Sequence, residues 1–219
     1  MEEQIYFKET SIQARRPDDI LSKKIEREVS PFCRTMISKT VDQLRLADHS
    51  LVLEIGFKSR EYLPFLFQKG TGIGYYGNNI SETVVLGALS APALKINEGT
   101  AQFSLAKENG TLAIGNDFFD GCFTVNTIYF WKDPVAHLKE IYRVLRPGGK
   151  FSLAFMEKNI GVDLPWTRSD FTFYDTNEVK TFFSKVGFAD VEVKQMTEEI
   201  TGQNGKGIVR PFVNVVGRK

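Results

Sequence analysis

The spacing of apolar positions changes several times along the chain, and each change marks an element. Residues 1–16 show no period and read as an irregular arm. From Pro17-Asp18 to about Val29 a helix is expected, with Leu21, Ile25 and Val29 on one stripe. Ser30-Pro31 then pairs an N-cap residue with proline at the first helical position. Beyond it Cys33, Met36, Ile37, Thr40, Val41 and Leu44 recur at helical spacing, the pattern of an amphipathic helix packed on a core. At Leu51 the period shortens. Leu51–Ile55, Gly72–Gly77, Ala101–Ala106, Gly121–Thr127 and Phe151–Phe155 read as strands. Helices are expected between them: over about Arg60–Lys69, from the Ser81 cap to about Ala91-Pro92, and from Asp133-Pro134 to the Pro147-Gly148-Gly149 stop. A long connection covers 157–176, and a helix follows over Asn177–Val186, ended by Gly187. Two alternating segments, Ala189–Met196 and Ile208–Val216, close the chain through the turn-rich link Gly202-Gln203-Asn204-Gly205.

Strands alternating with helices imply a mainly parallel sheet covered on both faces, and the closing pair adds an antiparallel strand. The length, 219 residues, suits one domain. It divides by pattern into a helical cap over 1–48 and an α/β core over 49–219. Charge narrows the partners. With 28 basic and 27 acidic residues the net charge is +1, which gives no general attraction to nucleic acid or to an anionic membrane. No apolar run approaches membrane-spanning length and the N-terminus lacks a signal-peptide core, so a cytoplasmic protein is expected. Cys33 and Cys122 stand far apart without other ligands at metal-binding spacing; they read as free thiols, and no metal site is expected.

In an open α/β sheet, ligands bind beyond the carboxyl ends of the strands. The residues there are Glu54-Ile55-Gly56-Phe57-Lys58-Ser59-Arg60, then Gly77-Asn78-Asn79-Ile80-Ser81, then Lys107-Glu108-Asn109. After them come Phe119-Asp120-Gly121-Cys122-Phe123, Asn126-Thr127-Ile128-Tyr129-Phe130-Trp131 and Arg143-Val144-Leu145-Arg146-Pro147-Gly148-Gly149. In this order and spacing they resemble the class I S-adenosylmethionine-dependent methyltransferases, particularly the broad small-molecule group. The resemblance covers about residues 50–155 and, more loosely, the closing strands. It implies a Rossmann-like fold: a mainly parallel seven-stranded sheet with helices on both faces and an antiparallel last strand.

The resemblance also implies roles. Glu54 and Gly56 match the acidic residue and first glycine of the cofactor loop, where a missing Cβ lets the backbone approach the ligand. Lys58 and Arg60 stand where the family carries further glycines. They read either as loop residues of a decayed site or as cations that hold the cofactor carboxylate. Asn79, with Ile80 beside it, takes the position of the acidic residue that binds the ribose hydroxyls; it reads equally as a turn residue. Glu108 and Asn109 fall near the adenine, or form a solvated turn. The segment from Asn126 to Trp131 is expected to face the transferred methyl group, with Asn126 counted among the cofactor-binding residues and placed to orient a substrate. Tyr129, Phe130 and Trp131 are expected to wall an apolar or cation-binding acceptor space, though Phe130 reads at least as well as core packing. Trp166, in the long connection with Phe171, Phe173 and Tyr174, reads either as part of a lid over the acceptor or as a pin to the core.

His49 and His137 are the two histidines, and position assigns neither to catalysis; His137 reads as a solvated helix residue. Methyl transfer from a sulfonium needs in-line placement more than acid–base help. The expected function is therefore S-adenosylmethionine-dependent methyl transfer to a small molecule. The departures at Lys58, Arg60 and Asn79 keep open a methyltransferase-like binding or regulatory protein without turnover. A nicotinamide oxidoreductase fits poorly, because no Gly-x-Gly-x-x-Gly follows the first strand.

Overall fold

The computed structural model describes residues 35–92, 96–161, 171–201 and 207–219. The arm, the helix expected from Pro17-Asp18, the Ser30-Pro31 cap, Cys33, Trp166 and the Gly202–Gly205 link lie outside the described residues. The elements run α1 (35–44), β1 (Leu51–Ile55), α2 (Leu63–Phe67), β2 (Gly74–Asn79), α3 (Glu82–Ser90), β3 (Thr100–Leu105) and β4 (Phe119–Val125). A 3-10 turn over Ile128–Phe130 leads to α4 (Pro134–Val144), β5 (Leu145–Phe155), α5 (Lys158–Gly161), α6 (Thr176–Val186), β6 (Ala189–Thr201) and β7 (Gly207–Arg218). The seven strands form one sheet in the order β3-β2-β1-β4-β5-β7-β6. All neighbours from β3 to β5 pair in parallel, and β7 alone runs reversed, between β5 and β6. The expected Rossmann-like α/β sheet is what the chain forms.

Local chemistry explains the boundaries. The side chain of Ser81 caps α3 through Val84 N. Asp133 Oδ1 accepts from Ala136 N at 2.9 Å and Pro134, which has no N–H, follows it, so α4 opens with one donor capped and another absent. In α6 the Asp175 side chain and Glu178 cap each other's backbone N–H reciprocally, and Gly187 ends the helix in the left-handed region. Strand β2 starts two residues later than its composition suggests. His49 N binds Thr71 O and Gly72 N binds Asn97 O, which holds that segment in a turn until Gly74 meets Leu51. As a result Asn78 and Asn79 belong to the strand. Strand β4 ends two residues early because Asn126 adopts φ +56°.

Helices cover both faces. On one, α4 and α6 bury Leu138, Ile141, Val144, Val179 and Phe183 against Leu53, Phe119, Phe151 and Val215. On the other, Val41 and Leu44 of α1 join Leu63, Leu66 and Phe67 over Val52, Tyr75 and Phe123. Burying each such side chain contributes roughly 1.5–3 kcal/mol. Phe173 and Tyr174 belong to the first cluster and Phe171 packs against it, so these three aromatics pin the long connection to the core. Beyond Phe155, which pairs with Val213, β6 and β7 continue together as far as Thr201 and Gly207. The pair therefore overhangs the carboxyl edge of the sheet, a reach that the alternation over 189–196 and 208–216 does not reveal. No helix among the described residues is long and apolar enough to cross a membrane.

Candidate functional site

The carboxyl edge holds a cleft between the loops after β1, β2, β3 and β4. Ile55, Gly56, Lys58, Asn78, Asn79, Ile80, Ala106, Lys107 and Glu108 line one part of it; Asn126, Thr127, Phe130, Trp131 and His137 line another. The open space is about 90 Å³, below the 300–1,000 Å³ of ordinary small-molecule sites. Lys107 and Glu108 at its mouth are exposed.

Gly56 sits at its floor with φ +77°, and a Cβ there would meet Thr127 Cγ2 at 2.4 Å. Only glycine suits both the dihedral and the space. Thr127 is fixed from behind: its Oγ1 lies 2.6 Å from Thr124 Oγ1, which donates to Ile55 O at 2.7 Å. Gly110 makes a similar approach across the cleft, since a Cβ on it would meet His137 Cδ2 at 2.4 Å.

Of the residues singled out in the sequence, Gly56, Asn79, Ile80, Glu108, Asn126 and Trp131 come together in this cleft. Three others stand elsewhere. Glu54 is 3% exposed and turned into the opposite layer, where Tyr75 donates to it and Tyr62 contacts Tyr75 at 2.9 Å. Burial raises its pKa to about 8, against the lowering effect of the Tyr75 hydrogen bond. Asn109 is exposed and accepts from Thr111 N at 3.1 Å, which makes it a turn residue. Tyr129 is 3% exposed in the core; its hydroxyl accepts from Met156 N at 2.6 Å and donates to Asn126 Oδ1 at 2.9 Å. It braces Asn126 and lines no cavity wall. Trp166 lies outside the described residues.

The departures from the family pattern resolve differently from one another. Asn79 Nδ2 donates to Phe57 O and its Oδ1 accepts from Ser81 N at 2.7 Å, so both ends of its amide tie the β1 and β2 loops together. Arg60 points away from the cleft. Its guanidinium donates to Ala88 O at 3.0 Å and Pro92 O at 2.7 Å, capping the end of α3. Lys58 lines the cleft, half-buried.

His137 is the residue that the sequence reading placed wrongly. It stacks on Trp131, with centroids 5.0 Å apart and planes 9° apart, and both rings line the cleft. Burial lowers its pKa, against the Asp133 carbonyl and carboxylate, which raise it. The available signal was its place in the first turn of α4, which starts at the carboxyl edge.

A second, larger cavity of about 710 Å³ lies on the other half of the edge, under the overhanging β6–β7 pair. Lys39, Glu157, Asn159, Gln195 and Thr197 supply its polar lining; Ile160, Met196, Pro211, Phe212 and Val213 supply the apolar one. Met36, fully buried, touches residues that line each space. It accepts from Asn126 Nδ2 at 3.5 Å on the cleft side and packs with Phe212 and Met196 on the cavity side.

The family model described as a methyltransferase domain matches residues 53–153, the stretch that builds the cleft. Over that stretch the chain matches a methyltransferase domain, and its fold is that of S-adenosylmethionine-dependent methyltransferases. A curated relative, the uncharacterized methyltransferase YdaC of Bacillus subtilis, is 21% identical over 164 residues, covering 74% of this chain and 83% of its own. Two solved structures share the fold along nearly their whole length. A chain in the complex of the Haloferax volcanii Trm112 methyltransferase activator with a candidate methyltransferase superposes with a TM-score of 0.71 at 18% identity, covering 95% of this chain and 96% of that one. A Thermotoga maritima S-adenosylmethionine-dependent methyltransferase, described as a possible histamine N-methyltransferase, gives 0.65 at 20% identity, covering 95% and 98%. The methyltransferase domain implies S-adenosylmethionine as cofactor, and Gly56 fits it: at φ +77° it presents bare backbone to the cleft at a position where Thr127 leaves no room for a side chain.

Proposed function

We propose that this methyltransferase transfers the cofactor's methyl group in line to a small, amphipathic molecule seated in the cavity under the β6–β7 overhang. The observation that carries this reading is a second, larger space linked to the cleft through one buried side chain, Met36, which accepts from Asn126 of the cleft and packs with Phe212 and Met196 of the cavity. A cavity of about 710 Å³ has the size of ordinary small-molecule sites. Its lining combines an apolar floor with amide, hydroxyl and ammonium groups, a mixture suited to an acceptor with both characters.

When bound in the cleft, S-adenosylmethionine supplies a sulfonium methyl that needs no metal or base to activate it. The protein's task is placement. Gly56, Asn79, Ile80, Glu108 and Asn126 are the residues we assign to holding the cofactor, with Trp131 and its His137 backing as the aromatic wall. The Asn79 amide acts on the cofactor through the loops it joins. Tyr129 holds Asn126 at φ +56° with its amide oxygen occupied, which fixes which edge of that side chain meets a ligand. Residues 1–48 we read as the cap over the acceptor side, of which α1 supplies Met36 and Lys39. A cytoplasmic setting and the absence of nucleic-acid substrates belong to the same reading, supported by the near-neutral charge.

One observation favours the second reading, a ligand-binding protein without turnover: the narrow cleft, with Asn79 engaged at both ends. Titration calorimetry with S-adenosylmethionine and S-adenosylhomocysteine separates the two, followed by transfer of a labelled methyl group into a cell extract. Methyltransferase action predicts binding and label in low-mass compounds. Label in protein or RNA overturns the small-molecule acceptor. Binding without transfer to any fraction supports the non-catalytic reading.

A further inference from the structure

Lys58 stands where the methyltransferase pattern carries a glycine, on the loop that touches the cofactor, and it lines the cleft half-buried. Among the described residues it has no hydrogen-bond or ion-pair partner. Arg60, the other cation on the loop, is consumed by the Ala88 and Pro92 carbonyls. Of the acidic side chains on either side of it in sequence, Glu61 is exposed and has a contact of its own, and Glu54 is turned into the opposite layer and bonded to Tyr75. Glu108, across the cleft, is exposed at the mouth. A partly desolvated ammonium without a counter-charge is unfavourable, and a ligand that brings a carboxylate removes that penalty. Lys107 also lines the cleft, but it is exposed beside Glu108 and pays less for standing alone.

We infer that Lys58 is the residue that recognises the carboxylate at the amino-acid end of the cofactor, replacing by a side-chain charge what a glycine-rich turn does with backbone N–H groups. The inference rests on the cofactor reading above and goes further, because it assigns the departure from the pattern a selective role.

The test is calorimetry on the full chain with two ligands: S-adenosylhomocysteine, and its decarboxylated analogue, which keeps the amine and loses the carboxylate. The wild type is expected to favour S-adenosylhomocysteine by about tenfold, the worth of one charge-assisted hydrogen bond. Lys58→Met should bind both ligands equally, at the level of the decarboxylated one, and Lys58→Arg should restore the preference. Thermal unfolding of each variant reports whether the fold is intact. If Lys58→Met keeps the preference, or binds S-adenosylhomocysteine more tightly than the wild type does, Lys58 plugs the cleft and the inference is wrong while the cofactor reading stands. If the wild type binds neither ligand, the cofactor reading fails and takes the inference with it.

Discussion

On the β1–β3 side of the carboxyl edge the loops close over about 90 Å³, while on the β5–β7 side the strands run on past the sheet and leave about 710 Å³. The first half is tight because its polar groups satisfy one another across short loops: Asn79 with Phe57 and Ser81, Thr124 with Ile55 and Thr127. The second is wide because it is framed by regular structure, the β6–β7 pair and α1, which meet through contacts such as Lys39 Nζ on Thr197 O and leave the space beside them open. A site that must hold one invariant ligand can be built by local closure. A site that must fit a particular acceptor is built by extending elements that have no fixed length.

The two halves should respond differently to damage. The largest effect is expected in the frame of the wide half. Glu198 of β6 is 2% exposed and ion-paired with Arg210 of β7, and its Oε2 is buried without a hydrogen bond. Burial raises its pKa, against Arg210, which lowers it. Arg210→Met removes the paired counter-charge of that buried carboxyl and leaves it only the weaker influence of Lys39, at a cost of about 3–5 kcal/mol in stability. Urea denaturation should show this loss, and the additional change Glu198→Gln should recover part of it. Next, in the tight half, Gly56→Ala adds a Cβ at 2.4 Å from Thr127 Cγ2 in a left-handed conformation. Cofactor affinity should fall by about 100-fold, near 2.7 kcal/mol, and Thr127→Ser, which removes that methyl, should restore part of the binding. Equal recovery by a change remote from Thr127 would break the geometric account.

Smaller effects sharpen the boundary between the halves. Tyr129→Phe removes the hydroxyl that joins Asn126 to Met156 N. It should cost about 1–3 kcal/mol of stability, since a buried donor loses its partner. A residue facing a substrate would lose acceptor binding at constant stability instead. Glu54 gives a pH signature. Its pKa is about 8 in the folded chain against an ordinary 4.5, so between those values the native state holds a proton that the unfolded state has released. Stability should therefore be full below about pH 4.5 and fall as pH rises toward 8, by about 1.4 kcal/mol per unit at most. Glu54→Gln should flatten that slope in denaturation series at pH 6, 7 and 8; an unchanged slope would assign it to other groups.

The tight half was also the legible one. The βα alternation, Gly56 and the Asp133-Pro134 cap carry local physics that a sequence displays, and the parallel order followed from them. Glu54 was misplaced because motif position says nothing about which layer a side chain enters; the pairing of β1 with β2 sets it beside Tyr75. Tyr129 and Asn109 were misread because each satisfies a nearby backbone group, and such bonds appear only once the chain has turned. The wide half was largely illegible. Nothing in the alternation of β6 and β7 tells how far they pass Phe155, since strand length there is set by a partner strand and not by a covering layer. Lys58 and Arg60 show the same limit at the scale of one loop: two cations two residues apart, one spent on the end of α3 and the other facing the cleft.

The smallest expected effect concerns His137, the one cleft residue that its surroundings in sequence disguised. Its ring lies 5.0 Å from that of Trp131 and nearly parallel, and a stack of this kind contributes about 0.5–1.5 kcal/mol. It packs as well against Gly110, so it holds Trp131 and the β3 loop in one arrangement. If its work is to present Trp131 as a wall, His137→Ala should lower cofactor affinity by about two- to fivefold, or 0.5–1 kcal/mol. His137→Phe, which keeps a flat ring, should lose little. The lowered pKa adds a further check: the ring is neutral above the ordinary 6.5, so wild-type affinity should be flat from pH 7 to 8. Calorimetry at those two values, on the wild type and both variants, measures all three expectations. Equal losses in the Phe and Ala variants would mean that an imidazole nitrogen itself meets the ligand. The tight half would then hold, in His137 and Lys58, two side chains that read the cofactor directly.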